Sequence, residues 1–281
     1  MSLRFGYVTN GLADHRLDDA LELLAEEGYA GVAITLGHAH LDPYAPDLAR
    51  RVARLGRRLD ELDLAVAIET GARFLLDPRR KHAPGLACAD AAARLDLTER
   101  AISIGAELGA EAVTFASGSA PEGTDEWAWR GRLSARCDAL ARRARERGVV
   151  LAIEPEPGMA VATIADAEGL RAELGSPPGL GLTLDVGHCR CLEPRPVPEC
   201  VERVAGWLAH VHVEDMRRGV HEHLDFGDGE VDFPAALAAL SAAGYAGLVS
   251  VELSRHSHVA HEAVPRALAF LREAEPSAGV A

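Results

Sequence analysis

The sequence is poor in three features: long apolar runs, basic residues and cysteines. No apolar run approaches the roughly 18 residues that a membrane helix needs, and Met1–Asn10 shows no signal-peptide pattern. Asp and Glu number 43 against 29 Lys and Arg, and the resulting net charge of −14 disfavours a nucleic-acid partner. Five cysteines form an odd, sparse set that suits reduced thiols. We therefore expect a cytoplasmic protein without a membrane or nucleic-acid partner.

The chain does contain enough apolar material for a large core. Hydrophobic residues occupy 48% of its 281 positions and charged residues 26%, which is typical of a soluble globular protein. This length suits one large barrel or two ordinary domains. Because no linker or compositional break divides the chain, we expect one domain over residues 1–275 and a disordered tail over 276–281.

Short apolar runs alternate with segments of helical period. Eight runs occur, at Arg4–Thr9, Gly31–Leu36, Ala65–Thr70, Ala112–Ser117, Val149–Glu154, Leu180–Asp185, Ala209–Glu214 and Leu248–Leu253. Segments rich in Ala, Leu, Arg and Glu lie between most of them, and several end in glycine, a common C-cap. Eight strand–helix units predict a (β/α)8 TIM barrel. A doubly wound open sheet is the alternative, but no GxGxxG motif follows the first run.

Four ionisable residues stand at the C-terminal ends of the last four apolar runs. They are Glu154, Asp185, His212 and Glu252. Ionisable side chains avoid strands unless they are paired or bind a metal, and alternation places all four on the inward face of the barrel. Three carboxylates and one imidazole suit Mn²⁺ or Mg²⁺ and admit Co²⁺ or Zn²⁺. We predict that these four residues bind one divalent metal ion near the rim where barrel active sites lie.

Such a metal site favours chemistry next to a carbonyl group. Four protein ligands leave open positions for a substrate carbonyl and its neighbouring hydroxyl, and the metal lowers the barrier to removal of the α-proton. A glutamate at the edge of the metal is a plausible general base. The residues therefore indicate enolisation of a small substrate.

Several motifs in fixed order carry a family resemblance. They are IEP at Glu154, LDVGH around Asp185–His188, HVHVED at His210–Asp215, GDG at Gly227–Gly229, and Glu252. Together they resemble the xylose-isomerase-like barrel superfamily, which contains sugar isomerases and epimerases, inosose-processing enzymes and endonuclease IV. The resemblance covers nearly the whole chain, and its specificity lies in the order and spacing of motifs that are individually weak.

The ketose 3-epimerase branch of that superfamily implies roles for single residues. There the four positions given above are the metal ligands, and Glu154 and Glu252 also act as acid and base on opposite faces of the sugar. His188 and Arg218 would contact the substrate. Relatives are often dimers or tetramers, so the resemblance also admits a homodimer or homotetramer.

Other polar residues at this end of the barrel allow two interpretations each. Glu69 and Glu156 either bind sugar hydroxyls or are charges at the rim. His210 is better explained as a packed histidine or a support for a ligand than as a ligand itself. His221 and His223 occupy the place where endonuclease IV carries Asp-x-His and binds an additional metal. Here the first of the pair is His, so a solvated loop is a better explanation than a second metal site. Gly227–Gly229 is better explained as a turn than as a phosphate loop.

The segment Gly71–Gly85 is the most basic stretch of this acidic chain and follows the third strand. Long functional loops are common at barrel mouths. This one either offers its cations to an anionic or polyol substrate or faces only water. The cationic side chains concerned are Arg73, Arg79, Arg80, Lys81 and His82.

We expect a metal-dependent isomerase or epimerase of a sugar, sugar phosphate or inositol-like polyol. A lyase or dehydratase of a keto-sugar or keto-inositol could use the same metal site if the enolate expelled a β-group. An endonuclease IV-like hydrolase is less consistent with the sequence, because Glu69 and Ala116 stand where that family shows histidine ligands. A non-catalytic sugar-binding barrel would not require the inward glutamate pair.

Overall fold

A closed barrel of parallel strands forms the centre of the protein in the computed structural model, which describes residues 2–71 and 73–275. Eight strands form the barrel: β1 Arg4–Val8, β2 Gly31–Thr35, β3 Ala65–Glu69, β4 Val113–Ala116, β5 Leu151–Glu154, β6 Leu180–Asp185, β7 Leu208–Val213 and β10 Leu248–Val251. Two further strands, β8 Asp215–Arg217 and β9 Val220–Leu224, lie outside it. Strands β1 to β7 pair in sequence order, and β10 closes the barrel between β7 and β1. The predicted TIM barrel is therefore confirmed. The tail predicted from Pro276 lies outside the described residues.

Helices alternate with the barrel strands. They are α1 Leu17–Glu27, α2 Leu48–Glu61, α3 Ala92–Leu108, α4 Glu126–Glu146, α5 Ile164–Glu173, α6 Val186–Leu192, α7 Val197–Val204, α8 Phe233–Ala242 and α9 Ala260–Ala274. Helix α2 illustrates why they form: it buries Val52, Leu55 and Leu59, which recur at helical spacing, while most of its arginines face solvent. None of the helices in the described ranges is long and apolar enough to span a membrane.

The two faces of the barrel strands differ in composition. Bulky residues such as Leu151 and Ile153 belong to the main apolar core. The opposite face carries small residues, and Val8, Ala33 and Ala67 form a separate buried cluster across β1, β2 and β3. Since side chains alternate along a strand, Glu69 lies on the same inward face as Ala67. The polar residues at the strand ends therefore stand above a lumen of small side chains.

An antiparallel hairpin of β8 and β9 follows β7 and was not predicted. Its first residue, Asp215, lies at the end of the segment read as the seventh strand. The buried Asp215 carboxylate accepts backbone N–H bonds from Gly227, Gly229 and Val231 at 2.9 to 3.0 Å. The Gly227–Gly229 segment is thus a turn around Asp215, as predicted. The hairpin brings His221 and His223 back over the barrel on strand β9, whereas the sequence had favoured a solvated loop for them.

Candidate active site

Glu154, Asp185, His212 and Glu252 converge at the C-terminal end of the barrel. Each offers one ligand atom, and these four atoms all lie within 4.8 Å of one another. The register explains the convergence, because Asp185 on β6 pairs with His212 on β7. Glu154 is the last residue of the nearby β5, and Glu252 directly follows β10. Nδ1 of His212 lies 3.0 Å from Oε1 of Glu154 and 3.4 Å from Oε2 of Glu252.

Negative charge is concentrated at this point. Burial raises the pKa of Glu154 well above its ordinary value and that of Glu252 to about 7, although the nearby imidazole of His212 opposes both shifts. Burial alone would lower the pKa of His212, but the charges of Glu69, Glu154 and Glu252 outweigh burial and raise it well above the usual value. Oδ2 of Asp185 is buried and meets no hydrogen-bond donor in the described part of the chain. A divalent cation would neutralise these carboxylates and satisfy that oxygen.

Glu69 supports the imidazole of His212 from the opposite side. Its Oε1 lies 2.9 Å from Nε2 of His212, and its Oε2 accepts a hydrogen bond from the Thr114 hydroxyl at 2.5 Å. Glu69 is only 6% exposed, so its carboxylate is engaged by these two partners and does not face solvent. If Nε2 of His212 carries the proton for this bond, Nδ1 is left free to face Glu154 and Glu252.

A group of three histidines lies beside the carboxylate cluster. Ring nitrogens of His188, His221 and His223 all lie within 4.8 Å of one another. Nε2 of His188 is 3.1 Å from Nε2 of His221, and the backbone N–H of His188 donates to Oδ1 of Asp185 at 2.7 Å. Burial, followed by the nearby histidines, lowers the pKa of His188 to about 3 despite the charge of Asp185, so this ring is neutral.

Glu156 and Asn10 also line the cavity above the cluster. Burial raises the pKa of Glu156 to about 7, and the negative charge of Glu252 adds to the shift. Nδ2 of Asn10 donates to Oε1 of Glu252 at 2.7 Å. The sequence did not single out Asn10, although its position just after β1 matches the strand-end placement of the predicted residues.

Glu214 is a second residue that sequence reasoning missed. It is fully buried, and neither carboxylate oxygen meets a hydrogen-bond donor among residues 2–71 and 73–275. One of its oxygens lies within 4.8 Å of ligand atoms of Asp185 and His188. Burial raises the pKa of Glu214 well above its ordinary value, and the charge of Asp185 adds to this effect. Its place two residues after His212, on the same face of β7, was the available signal.

Two residues with predicted roles lie elsewhere. The Arg218 side chain is exposed on the hairpin, donates to the carbonyl of Glu193, and does not line the cavity. His210 lies deeper in the barrel, fully buried, with its ring centroid 5.0 Å from that of His212. Neither ring nitrogen of His210 has a hydrogen-bond partner in the described structure. The structure therefore brings neither of them into contact with the cavity.

Comparisons with known proteins agree with this architecture. A family model described as xylose isomerase-like TIM barrel matches residues 21–274. The rhizopine catabolism protein MocC of Rhizobium meliloti is 34% identical over 154 residues, which cover 49% of this chain and 46% of that protein. The chain thus matches less than half the length of this relative.

Two further similarities extend over most of the chain. The L-ribulose-5-phosphate 3-epimerase UlaE of Salmonella paratyphi C is 28% identical over 236 residues, covering 79% of this chain and 80% of that protein. A solved structure of an L-ribulose 3-epimerase superposes with a TM-score of 0.76 at 23% identity, over 97% of this chain and 96% of the other. At that identity, the structural match supports the fold alone.

Proposed function

Because the chain belongs to the xylose isomerase-like TIM barrel family, we propose that it is a divalent-metal-dependent sugar isomerase or epimerase. The proposed reaction removes a proton α to a carbonyl and returns it through an enediolate. The observation that carries this proposal is the pair Glu154 and Glu252, both within 3.4 Å of Nδ1 of His212 in a cluster that also contains Asp185. The similarity to UlaE supports a sugar substrate.

The donor set of the cluster fits a hard divalent cation. Glu154, Asp185, His212 and Glu252 would hold Mn²⁺ or Mg²⁺, with Co²⁺ or Zn²⁺ as further candidates. When bound, the ion supplies Lewis-acid stabilisation of negative charge on the substrate oxygens. The Glu69 carboxylate keeps His212 oriented for this purpose through the 2.9 Å contact with Nε2.

The two glutamates carry the proton transfers in this proposal. Asn10 engages Oε1 of Glu252 at 2.7 Å, which fixes the carboxylate and leaves Oε2 directed toward His212. In the metal-free protein, burial raises the pKa of Glu252 to about 7. Glu154 ends β5 and Glu252 directly follows β10, so the two carboxylates approach from different strands, and one can remove a proton from the substrate while the other returns it.

Residues around the cavity are suited to sugar hydroxyl groups. We assign substrate contacts to His188 and Glu156, which both line the cavity. Glu69 also reaches the cavity wall, but its two oxygens are engaged by His212 and Thr114, so its main role is to position His212. The remote side chain of Arg218 does not support a substrate contact in this arrangement.

A second cation position is proposed at His188, His221 and His223, whose ring nitrogens are close enough to share an ion. An ion bound there would take the place of the substrate contact assigned to His188. Three neutral imidazoles suit Zn²⁺ or Co²⁺ better than Mg²⁺. Metal analysis at increasing Zn²⁺ concentration tests this assignment. Wild type should bind a second, weaker equivalent, and H221A should bind one only. Equal stoichiometry in the two proteins contradicts the second site.

Solvent proton exchange tests the proposed function. The metal-free protein, reconstituted with Mn²⁺, is incubated in D₂O with a panel of ketoses and inososes, and deuterium at carbons next to the carbonyl is measured by NMR. We expect exchange that depends on metal and yields an epimer or an isomer. Loss of a β-substituent from the product would identify a lyase, and the absence of exchange with every member of the panel would contradict enolisation.

A further inference from the structure

The connection from β3 to α3 is long, yet its backbone is held in place from below. The buried Arg94 guanidinium donates to the carbonyls of Pro84, His82 and Thr70 at 3.0, 2.9 and 3.2 Å. Arg136 on α4 donates to the carbonyls of Leu86 and Cys88, both at 2.5 Å. These cations are occupied with loop carbonyls, so the position of the loop is defined by the body of the barrel.

The tip of the loop is closed by hydrogen bonds of its own. His82 donates its backbone N–H to the carbonyl of Arg73 at 2.7 Å, and Nδ1 of its ring lies 2.7 Å from the carbonyl of Gly71. Farther along, the N–H of Leu86 donates to the carbonyl of Ser117 in the next strand–helix connection at 2.9 Å. The segment between Arg73 and His82 is therefore fixed at the mouth of the cavity.

This loop leaves two cations at the cavity. Arg73 and Lys81 both line the cavity that contains Glu154 and Glu252. Within the described residues, neither has a carboxylate within ion-pair distance, whereas Arg80 on the same loop pairs with Asp77 at 2.8 Å. In a chain with a net charge of −14, two unpaired cations at one cavity are a specific feature.

We propose that the substrate is a ketose with an anionic group, phosphate or carboxylate, that Arg73 and Lys81 bind at the mouth of the cavity. Arginine recognises phosphate and carboxylate through parallel N–H bonds, and lysine adds a point charge. The proposed reaction places the carbonyl at the carboxylate cluster, so the anionic end of the substrate points toward the loop. This inference rests on the proposed function and specifies its substrate class.

Paired substrates test the inference. The values of kcat/KM are measured for ribulose and ribulose 5-phosphate, and for a neutral ketohexose and the ketohexuronate of the same configuration, with wild type, K81Q and R73Q. A hydrogen bond to a charged group contributes about 1.5–3 kcal/mol, so each variant should lose ~10- to 100-fold on the anionic substrate. The same variants should change kcat/KM for the neutral substrate by less than about twofold.

A matched control lies on the same loop. Arg79 is exposed and does not line the cavity, so R79Q should retain wild-type kcat/KM on both members of each pair. Equal thermal unfolding of the three variants would show that the loop substitutions leave the fold intact. If R79Q lost as much kcat/KM on the anionic substrates as K81Q does, the effect would come from the overall charge of the loop. That result would overturn a specific anion site at Arg73 and Lys81.

The outcomes separate this inference from the proposed function. Preference for phosphate or for carboxylate identifies the anion, and either preference supports the inference if K81Q removes it. Exchange on neutral ketoses with no gain from either anion overturns the inference and leaves the function intact. If no ketose is turned over, calorimetric titration with ribose 5-phosphate decides: binding that K81Q weakens at least ~10-fold supports the anion site, and absent or unaltered binding overturns it.

Discussion

At the residue scale, the proposed function depends on a cluster of buried carboxylates that has few hydrogen-bond donors around it. His212 faces Glu154 and Glu252 on one side and Glu69 on the other. Hydrogen bonds from Asn10 and Thr114 occupy one oxygen of Glu252 and one of Glu69. The other oxygen of Glu69 contacts Nε2 of His212, whereas Glu154, Asp185, His212 and Glu252 each offer a ligand atom within 4.8 Å of the others, which is the arrangement that a cation requires.

Replacing Glu154 or Glu252 by glutamine removes a proton-transfer group at nearly constant shape. Because general acid–base groups contribute about 10²–10⁴-fold, we expect E154Q and E252Q each to lower kcat by at least ~10²-fold with the fold retained. E222Q is the matched control, because Glu222 on hairpin strand β9 is partly exposed and pairs with Arg255. Wild-type turnover in either E154Q or E252Q would eliminate the two-glutamate mechanism.

The raised pKa of Glu156 predicts that the difference in free energy of unfolding between wild type and E156Q depends on pH. Its folded pKa of about 7 exceeds the ordinary glutamate value of 4.5, chiefly through burial and then through the charge of Glu252. The folded state therefore favours the protonated form, and the stability linked to it is present below about pH 4.5 and lost as pH rises through 7. E156Q cannot ionise, so it should exceed metal-free wild type in free energy of unfolding by on the order of 2 kcal/mol at pH 8.

Urea unfolding of both metal-free proteins at pH 4.5 and pH 8 measures this difference. The gap between E156Q and wild type should be small at the lower pH and should open at the higher one. A gap of the same size at both pH values would show that Glu156 ionises at an ordinary pH and is not desolvated in the cavity.

At the element scale, helix α6 follows β6 directly and lies against the end of β7. A Cβ on Gly187 would come 2.3 Å from Oε1 of Glu214 and 3.1 Å from the terminal methyl of Met216. A side chain at position 187 would therefore displace the buried carboxylate of Glu214, which directly follows β7, and crowd Met216 on the hairpin. The side chains displaced by any substitution belong to the surroundings of Asp185.

G187A should destabilise the protein by about 1–3 kcal/mol through overpacking and weaken metal binding. Gly169 in α5 provides a matched control, because it is exposed, is also helical and has nothing within 4 Å of a new Cβ. G169A should instead stabilise by about 0.5–1 kcal/mol. Denaturant unfolding and metal titration of both variants check the pair, and equal effects on stability would contradict the close approach at Gly187.

Regular elements were predictable because their signals are local. The period of apolar residues located the barrel strands, and strand parity indicated that Glu154 and Asp185 face inward. The hairpin was missed because β8 and β9 are short, mostly polar strands that pair with each other and lack a run of alternating apolar residues, although Met216 in β8 is buried. The resemblance-based contact of Arg218 did not account for that hairpin, which turns its side chain toward Glu193.

At the scale of the whole molecule, barrel closure joins groups that are far apart in sequence. Glu69 and His212 are separated by 143 positions yet meet at 2.9 Å, and Asn10 reaches Glu252 across 242 positions. Position at a strand end could indicate that such residues share one rim. It could not indicate which of them touch, because that depends on strand register and on side-chain rotamers.

Metal binding should stabilise the whole barrel, since the ion links the ends of β5, β6, β7 and β10. At a metal concentration 100 times the Kd, binding to the native state adds about 2.7 kcal/mol, which EDTA should remove in wild type. H212A should have a lower metal content and little EDTA-dependent change in Tm. A full metal complement in H212A would remove His212 from the ligand set.

Anomalous diffraction from crystals of the Mn²⁺-loaded protein, recorded at the manganese edge, tests the central claim most directly. The account predicts one strong peak within about 2.0–2.6 Å of ligand atoms from Glu154, Asp185, His212 and Glu252. A peak confined to His188, His221 and His223, or no peak at saturating Mn²⁺, would contradict the four-residue site and the chemistry built on it.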